Sequence, residues 1–246
     1  MEVNKTEQTL VLIKPDALKN SLTGYVLSQL SETHTRLVFA GSKIVNVSPM
    51  LAREHYIEHD GKVFFPYLID YLSGLAHYPN DPWKRRTIAL VYHGSDAIKT
   101  IREITGPTHP HDAREMRPGC IRSLGTTSPL LDDAGNVIGQ RIDNLIHASA
   151  NAVDAEREIK LWFKPSDIPP LMRLFSTIIA DKHFYYKENK LFDSYVSNSV
   201  CIAAAGDVMW ESDWVGLNQH FRSEQASVSM ESLVAKYVIY LVGYYP

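Results

Sequence analysis

Cysteine is scarce in this chain of 246 residues, which contains only Cys120 and Cys201. The two cysteines form no CxxC pair, and neither has the Cys/His spacing of a metal site. This scarcity excludes a disulfide scaffold and a zinc-finger type of fold. We therefore expect two reduced thiols in a cytoplasmic protein.

Long apolar runs and an excess of positive charge are also lacking. Residues 1–7 are charged and have no apolar core, so we predict no secretory signal. The longest apolar stretch, 233–245, is interrupted by Lys236 and is too short to span a bilayer, so no membrane partner is expected. A formal net charge of −3 argues against nucleic acid as a partner.

Hydrophobic residues make up 45% of the chain, which is enough to build a core, and their periodicity predicts the elements. Short apolar runs predict strands at 8–13, 36–47, 87–92 and 144–147. Amphipathic segments predict helices at 23–30, 48–59, 63–72 and 95–104, with a further helix following His147. Ser48 and Ser95 are the predicted helix caps. This order is consistent with an α+β fold, an antiparallel sheet covered by helices on one side.

Two regions give weaker patterns. Between 106 and 141 the chain is rich in turn residues, and 132–136 resembles the tip of a hairpin without the spacing of a calcium loop. Beyond Pro165 we predict helices at 170–187 and 230–241, separated by a short apolar segment at 195–205. These segments predict a folded, mainly helical C-terminal extension.

The chemistry-bearing residues point to an anionic substrate. No P-loop, GxGxxG, HExxH or GxSxG motif is present. The chain instead carries cationic, hydroxyl, amide and imidazole groups at strand ends, on a helix and in turns: Lys14, Arg102, Thr108, Arg122, Asn144 and His147.

These residues belong to a series of segments: QTLVLIKPDAL at 8–18, EHYIEHDGKVFFPYLIDYLSG at 54–74, IREITGPTHP at 101–110, RPGCIRS at 117–123, NLIHAS at 144–149 and DAEREIKLWFKP at 154–165. Occurring together in this order, they closely resemble the nucleoside diphosphate kinase family. The resemblance implies a ferredoxin-like four-stranded antiparallel sheet. It places a catalytic domain at 1–166 with inserts near 76–86 and 124–141, and leaves 167–246 as an extension of unknown role.

The resemblance implies that His147 is a nucleophile that becomes phosphorylated. A neutral imidazole suits this step because it titrates near pH ~6.5. Glu158 matches the glutamate that orients the histidine ring, and Tyr56 matches a tyrosine beside it. The alternative for Glu158 is a solvated helix residue, and the other nine histidines are interpreted as ordinary surface or core residues.

The remaining matches imply a nucleotide site. Arg102, Thr108 and Arg122 match the phosphate-binding residues, while surface salt bridges are the alternative for the two arginines. Lys14 and Asn144 match the residues that bind the ribose hydroxyls, Lys14 also lying close to the phosphates. Phe64 matches the aromatic ring that stacks on the base and Leu68 lines the same slot, with plain core packing as their alternative.

Four features depart from the family pattern. Ala148 and Ala150 replace the glycine and aspartate that flank the retained Ser149, so we expect activity with altered rates. The two inserts are longer than usual. The first carries the basic turn at 83–86, which is more often solvated than a binding surface. The second either overhangs the site or alters subunit contacts.

The implied function is phosphoryl transfer from a nucleoside triphosphate to a nucleoside diphosphate by a ping-pong mechanism. Mg²⁺ is expected to bind through the nucleotide phosphates, without a dedicated protein metal site. The resemblance also implies a homo-oligomer, either a tetramer or a hexamer. The alternative function is a nucleotide-binding scaffold or regulator with weak or no turnover. We further hypothesise that the extension packs on the catalytic domain or enlarges a subunit interface.

Overall fold

The computed structural model describes residues 6–131 and 134–237. It divides into two compact units, Met1–Glu158 and Ile159–Pro246. Two parts of the predictions, the hairpin tip at 132–133 and the last helix beyond residue 237, lie outside the described residues. Among the described residues, no helix combines the length and apolar composition needed to cross a bilayer.

The first unit is built on a four-stranded sheet. The strands of this unit are β1 Thr6–Ile13, β2 Val38–Val45, β3 Thr87–Ser95, β4 Thr126–Leu131, β5 Val137–Asp143 and β6 Ile146–Ala148. The sheet has the order β2-β3-β1-β6, and every pairing is antiparallel. Residues 10–13 of the central strand β1 are fully buried, which explains why this strand reads as a continuous apolar run. The predicted antiparallel α+β fold is confirmed.

Helices account for most of the remaining chain up to residue 162. They are α1 Pro15–Lys19, α2 Thr23–Gln29, α3 Glu32–Thr35, α4 Pro49–His55, α5 Phe65–Leu72, α6 Ala97–Thr105, α7 Pro110–Met116 and α8 Ala152–Trp162. Ser48 caps α4 as predicted, its hydroxyl accepting a hydrogen bond from the Leu51 amide at 3.0 Å. The predicted Ser95 cap is wrong, because strand β3 continues through Ser95 and Asp96, at φ 51°, is the residue that precedes α6.

Strands β4 and β5 form a separate antiparallel hairpin in the second predicted insert. Their register runs from the pair Thr126↔Asp143 to the pair Leu131↔Val137. The hairpin therefore leads directly into Asn144 and the short strand β6. A predicted turn-rich segment thus contains regular structure on both sides of the predicted tip.

The second unit mixes strands and helices, so the prediction of a mainly helical extension is wrong. Its elements are β7 Thr177–Ile179, β8 Phe184–Lys187, β9 Lys190–Phe192, β10 Val200–Ala203, β11 Val208–Trp210, α9 Glu211–Phe221 and α10 Met230–Tyr237. The predicted helix at 170–187 is replaced by one 3₁₀ turn, Pro170–Met172, and two strands. The β-branched run Thr177–Ile179 favours a strand over a helix, and strands of three or four residues are too short to show a period.

The second unit has its own apolar core, which includes Phe184, Trp214 and Leu233. A charged group lies buried beside that core. The Asp213 carboxylate accepts hydrogen bonds from the Lys236 ammonium at 2.5 Å and from the Tyr237 hydroxyl at 2.7 Å. The extension is therefore a folded unit with internal polar constraints.

Candidate active site

A cleft of about 560 Å³ in the first unit collects all the predicted site residues. They come from the end of β1, from α4 to α6, from the turns around α7, and from β6 and α8. Those lining the cleft are Lys14, Tyr56, Phe64, Leu68, Arg102, Thr108, Arg122, Asn144, His147 and Glu158. Sequence positions up to 144 residues apart, from Lys14 to Glu158, are thus brought to one cavity by the sheet order.

His147 lies on β6, opposite Leu12 of β1, and its side chain is 16% exposed. Its Nε2 bonds Glu158 Oε2 at 2.9 Å. The Ser149 hydroxyl donates to the same carboxylate oxygen at 2.6 Å. An ionised carboxylate only accepts hydrogen bonds, so the proton of a neutral His147 ring lies on Nε2 and the lone pair lies on Nδ1.

The ionised state of Glu158 is strongly favoured. Burial by itself raises the pKa of this carboxyl, but the electrostatic interaction with His147 and the hydrogen bonds from His147 and Ser149 outweigh burial and lower the pKa to about 2. His55 packs edge-on against His147 with ring centroids 4.4 Å apart. Burial, and then repulsion by His147, hold the pKa of His55 well below its usual value.

Lys14 and Asn144 form the floor of the cleft. The Lys14 ammonium donates to Asn144 Oδ1 and lies 4.5 Å from the centre of the Tyr71 ring. Asn144 Nδ2 donates to the Thr108 carbonyl at 2.9 Å, and the Asn144 amide donates to the Tyr71 hydroxyl at 3.1 Å. Burial is the main cause that lowers the pKa of Lys14 to about 7, with Arg122 adding to it and Asp16 opposing it.

Two arginines form a cationic end of the cleft. Arg122 is buried, and its guanidinium donates to the carbonyls of Ile146 and Gly106 at distances of 3.0 to 3.4 Å. Burial, followed by repulsion from exposed Arg102, lowers the pKa of Arg122 to about 10. Gly106 has φ 83°, and a Cβ atom there would overlap Cys120 Sγ. Glycine is therefore required where the chain turns to meet Arg122.

The residue between Asn144 and the strand that carries His147 has a strained backbone conformation. Leu145 has φ 69°, a left-handed conformation that is costly for a residue with a branched side chain. Its amide donates to buried Asp16 Oδ2 at 2.8 Å, and its carbonyl accepts from the Lys14 amide at 2.9 Å. The KPD segment after β1 therefore holds the connection between Asn144 and β6.

The opposite end of the cleft is more apolar. Phe64 is 44% exposed, and its ring lies 5.6 Å from that of His59, while Leu68 and Tyr67 of α5 are half-buried. The exposure of Phe64 argues against plain core packing for this ring. The Tyr56 ring contacts those of His55 and His59, and burial, assisted by the Glu158 charge, raises the pKa of its hydroxyl.

One cluster in the cleft has the composition of a metal site. Ligand atoms of His55, His147 and Glu158 all lie within 4.8 Å of one another. Two imidazoles and one carboxylate are ligands that zinc accepts. Two of its three members, His147 and Glu158, are joined by a hydrogen bond, and Ser149 donates to the same Glu158 oxygen.

Sequence reasoning missed several residues of the cleft. His55 and Tyr71 lie inside the matching segment 54–74, so the segment itself was the available signal. Arg141 lines the cleft from the hairpin, and its partner Asp143 also bonds His77 of the first insert. No sequence pattern links residues 77 and 141, because they are connected through Asp143, to which both are hydrogen-bonded.

Comparison with known proteins agrees with this geometry. The family model described as nucleoside diphosphate kinase matches residues 7–168. The nucleoside diphosphate kinase of Pyrococcus furiosus is 39% identical over 166 residues, covering 68% of this chain and 88% of that protein. The nucleoside diphosphate kinase of Thermococcus kodakarensis is 34% identical over 202 residues, covering 82% and 99%.

Solved structures give the same result. The nucleoside diphosphate kinase of Aquifex aeolicus aligns with a TM-score of 0.53 and 30% identity, covering 67% of this chain and all of that one. The Borrelia burgdorferi enzyme, solved as a transition-state mimic with bound vanadate and ADP, aligns with a TM-score of 0.52 and 28% identity, covering 69% and 94%. Fold and matches together define an enzyme of the nucleotide phosphotransferase class. The chain belongs to the nucleoside diphosphate kinase family.

Proposed function

We propose that this protein transfers the terminal phosphoryl group of a nucleoside triphosphate to a nucleoside diphosphate through a phosphate carried on His147. The observation that supports this most directly is the hydrogen bond from His147 Nε2 to the ionised Glu158. This bond keeps the proton on Nε2 and leaves the Nδ1 lone pair as the nucleophile.

In the first half-reaction, the Nδ1 lone pair attacks the terminal phosphorus of the donor. The N–P bond forms while the bond from phosphorus to the bridging oxygen breaks, and the diphosphate leaves with that electron pair. Positive charge develops on the imidazole ring, where the Glu158 carboxylate stabilises it. In the return step, a terminal oxygen of a second diphosphate attacks phosphorus, and the N–P electron pair returns to Nδ1.

Fixed donors account for the remaining catalysis. A transferring phosphoryl group spreads negative charge over its oxygens, so preoriented cations stabilise it. Arg102, Arg122 and the Thr108 hydroxyl are assigned to the phosphates. Lys14 and Asn144 are assigned to the ribose, with Phe64 stacking on the base beside Leu68.

Mg²⁺ fits the cleft as a companion of the nucleotide. Among the described residues that line the cleft, the carboxylates are Glu58 and Glu158, and Glu158 is already bonded to His147 and Ser149. Nucleotide phosphates and water therefore supply the oxygen ligands that Mg²⁺ prefers. The ion neutralises phosphate charge when bound. Assembly into a tetramer or hexamer and a cytoplasmic location belong to the same proposal.

Labelling with γ-labelled ATP tests the function. We expect acid-labile label on the wild-type protein, loss of that label in His147→Ala, and its transfer to GDP in a chase. His111→Ala is the matched control, because this histidine is exposed on α7 and lies outside the cleft. A wild-type protein that binds nucleotide but takes no label would instead favour the scaffold function.

A further inference from the structure

The β4–β5 hairpin forms part of the cleft wall. Leu130 and residues 138–142 line the same cavity as Phe64, Leu68 and Asn144. The hairpin belongs to the second insert, so it adds contacts beyond the matched nucleotide-binding residues. Any role of the hairpin in ligand choice rests on the proposed function, because it concerns the nucleotide that this cleft accepts.

Burial and strand register place Arg141 within the hairpin. Ser128, Leu130, Arg141 and Ile142 are half-buried and Asp143 is buried, whereas Thr127, Pro129, Leu131 and Gln140 are exposed. Side chains alternate along a strand, and Ser128 pairs with Arg141 in the hairpin register. Arg141 therefore shares one face of the hairpin with Leu130, while Gln140 and Ile142 lie on the other face, and residues of both faces line the cleft.

Arg141 is held in place by a buried carboxylate. Its Nε and Nη2 donate to Asp143 Oδ1 and Oδ2, both at 3.0 Å. Asp143 also accepts from Nε2 of His77, whose side chain is 3% exposed, at 3.0 Å. Burial raises the pKa of Asp143, but the hydrogen bonds from His77 and Arg141 outweigh it and leave the pKa below the usual value. The two inserts thus meet at an ionised carboxylate that fixes one guanidinium.

A guanidinium fixed in this way is suited to bind a ligand. It has five N–H donors, of which Asp143 engages two, so three donors remain on a preoriented group. Preorientation lowers the entropy lost on binding. Arg141 lies three residues before Asn144 on the strand that leads to it, and its hairpin forms the wall of the cleft together with the apolar end at Phe64 and Leu68.

We propose that Arg141 contacts the base of the nucleotide and makes the cleft selective for guanine. Guanine presents two neighbouring acceptors, O6 and N7, that match two parallel guanidinium N–H donors. Adenine replaces O6 with an amino donor, and pyrimidines lack this pair of acceptors. Stacking on Phe64 does not distinguish bases, so selectivity comes from Arg141.

Competition against a fluorescent ADP analogue measures this selectivity in the wild-type protein. GDP and IDP, which share O6 and N7, are expected to displace the analogue at similar concentrations. ADP, CDP and 7-deaza-GDP are expected to need about tenfold more, the size of one good bidentate base contact. Equal displacement by GDP, ADP and 7-deaza-GDP would overturn the proposal.

Variants assign the effect to one residue. Arg141→Ala is expected to remove the preference for GDP while keeping the affinity for ADP. Arg53→Ala is the matched control, because Arg53 also bonds an aspartate through its guanidinium, at 2.9 and 3.1 Å to Asp60, but lies outside the cleft lining. A preference that survives Arg141→Ala would contradict the assignment. The comparison of GDP with 7-deaza-GDP uses the wild-type protein, so it still tests the proposal if Arg141→Ala fails to fold.

The binding readout also separates this inference from the proposed function. Guanine preference without phosphohistidine labelling would support the role of Arg141 and reject phosphoryl transfer. Labelling with equal affinity for all bases would support phosphoryl transfer and reject the role of Arg141. Failure to bind any nucleotide would reject both.

Discussion

At the scale of single residues, the cleft depends on charges whose protonation is set by the balance between burial and neighbouring groups. Glu158 stays ionised because its hydrogen bonds and the nearby imidazole outweigh desolvation. Lys14 shows the opposite balance, since burial dominates and brings the pKa of its ammonium to about 7. The same cleft therefore holds an anion that is insensitive to physiological pH and a cation that is sensitive to it.

Lys14 predicts a pH dependence of nucleotide binding. A bound polyphosphate adds negative charge and raises the pKa of Lys14 above its value of about 7 in the free protein. At a pH between these two pKa values, Lys14 is protonated in the complex but mostly neutral in the free protein. Nucleotide affinity therefore falls as pH rises, with a slope that approaches about tenfold per pH unit. Titrations of GDP from pH 7.5 to 9 measure this slope.

The control for this titration is Lys14→Met. It is expected to bind GDP more weakly at pH 7.5 and to show a nearly flat profile up to pH 9. Nucleotide phosphates are already ionised in this range and the pKa of Arg122 is about 10, so neither mimics the effect. A wild-type affinity that does not change with pH would contradict the assignment.

The site residues of the cleft could be predicted from the sequence because the motif segments keep the residue types and the order of the family pattern. Histidine, arginine and lysine at those positions converge through the order of the strands together with the helices and turns that connect them. Arg141, Asp143 and His77 were not accessible in this way. Their contact joins two inserts, and neither insert carries a motif or a period that specifies the other.

At the scale of elements, the connection between β5 and β6 is the most constrained segment of the cleft. Leu145 has φ 69° between Asn144 and Ile146, and the Asp16 carboxylate accepts the hydrogen bond of its amide. Strain of this kind persists only where neighbouring contacts enforce it. Asp16 therefore positions Asn144 and His147 through the backbone.

Substitution of Asp16 tests this positioning role. Asp16→Ala leaves the buried Leu145 amide without its acceptor, and we expect a loss of about 2 kcal/mol in the free energy of unfolding. Nucleotide affinity should also fall, because Asn144 is no longer held. Asp16→Asn keeps an acceptor oxygen and should restore much of both. Chemical denaturation and GDP titration measure the two effects, and unchanged affinity in the folded alanine variant would reject the role.

Prediction of elements succeeded where apolar periods were long and failed where they were short. Strands β1 to β3 carry clear patterns and were predicted within a few residues, and helix α8 follows His147 as predicted. Helix α7 buries only Pro110 and Ala113, and the strands of the second unit have three or four residues, so neither shows a repeating apolar pattern.

At the scale of the whole molecule, the chain is longer than its family match. The family model ends at residue 168, and the second unit continues with its own core and its own buried charge. The hypothesis that this unit supports the catalytic domain or an interface between subunits stays a prediction. Deletion of 170–246 with unchanged stability and oligomeric state would reject it.

A point substitution tests the stability of the second unit without removing any of its elements. Asp213→Ala leaves the buried Lys236 ammonium without its carboxylate. Breaking a buried ion pair in this way lowers the free energy of unfolding by about 3–5 kcal/mol. We expect a lower unfolding transition followed by tryptophan fluorescence, since Trp210 and Trp214 are buried in this unit. Asp181→Ala, at an exposed aspartate of the same unit, should leave the transition unchanged. Equal transitions in both variants would contradict this account.

The central claim concerns one nitrogen atom of His147, and the position of the phosphate on its ring tests that claim directly. Phosphorus and nitrogen NMR of the protein after reaction with ATP distinguishes the two ring isomers. Because Nε2 is bonded to Glu158, we predict phosphate on Nδ1. Phosphate on Nε2, or on any residue other than His147, would contradict the account.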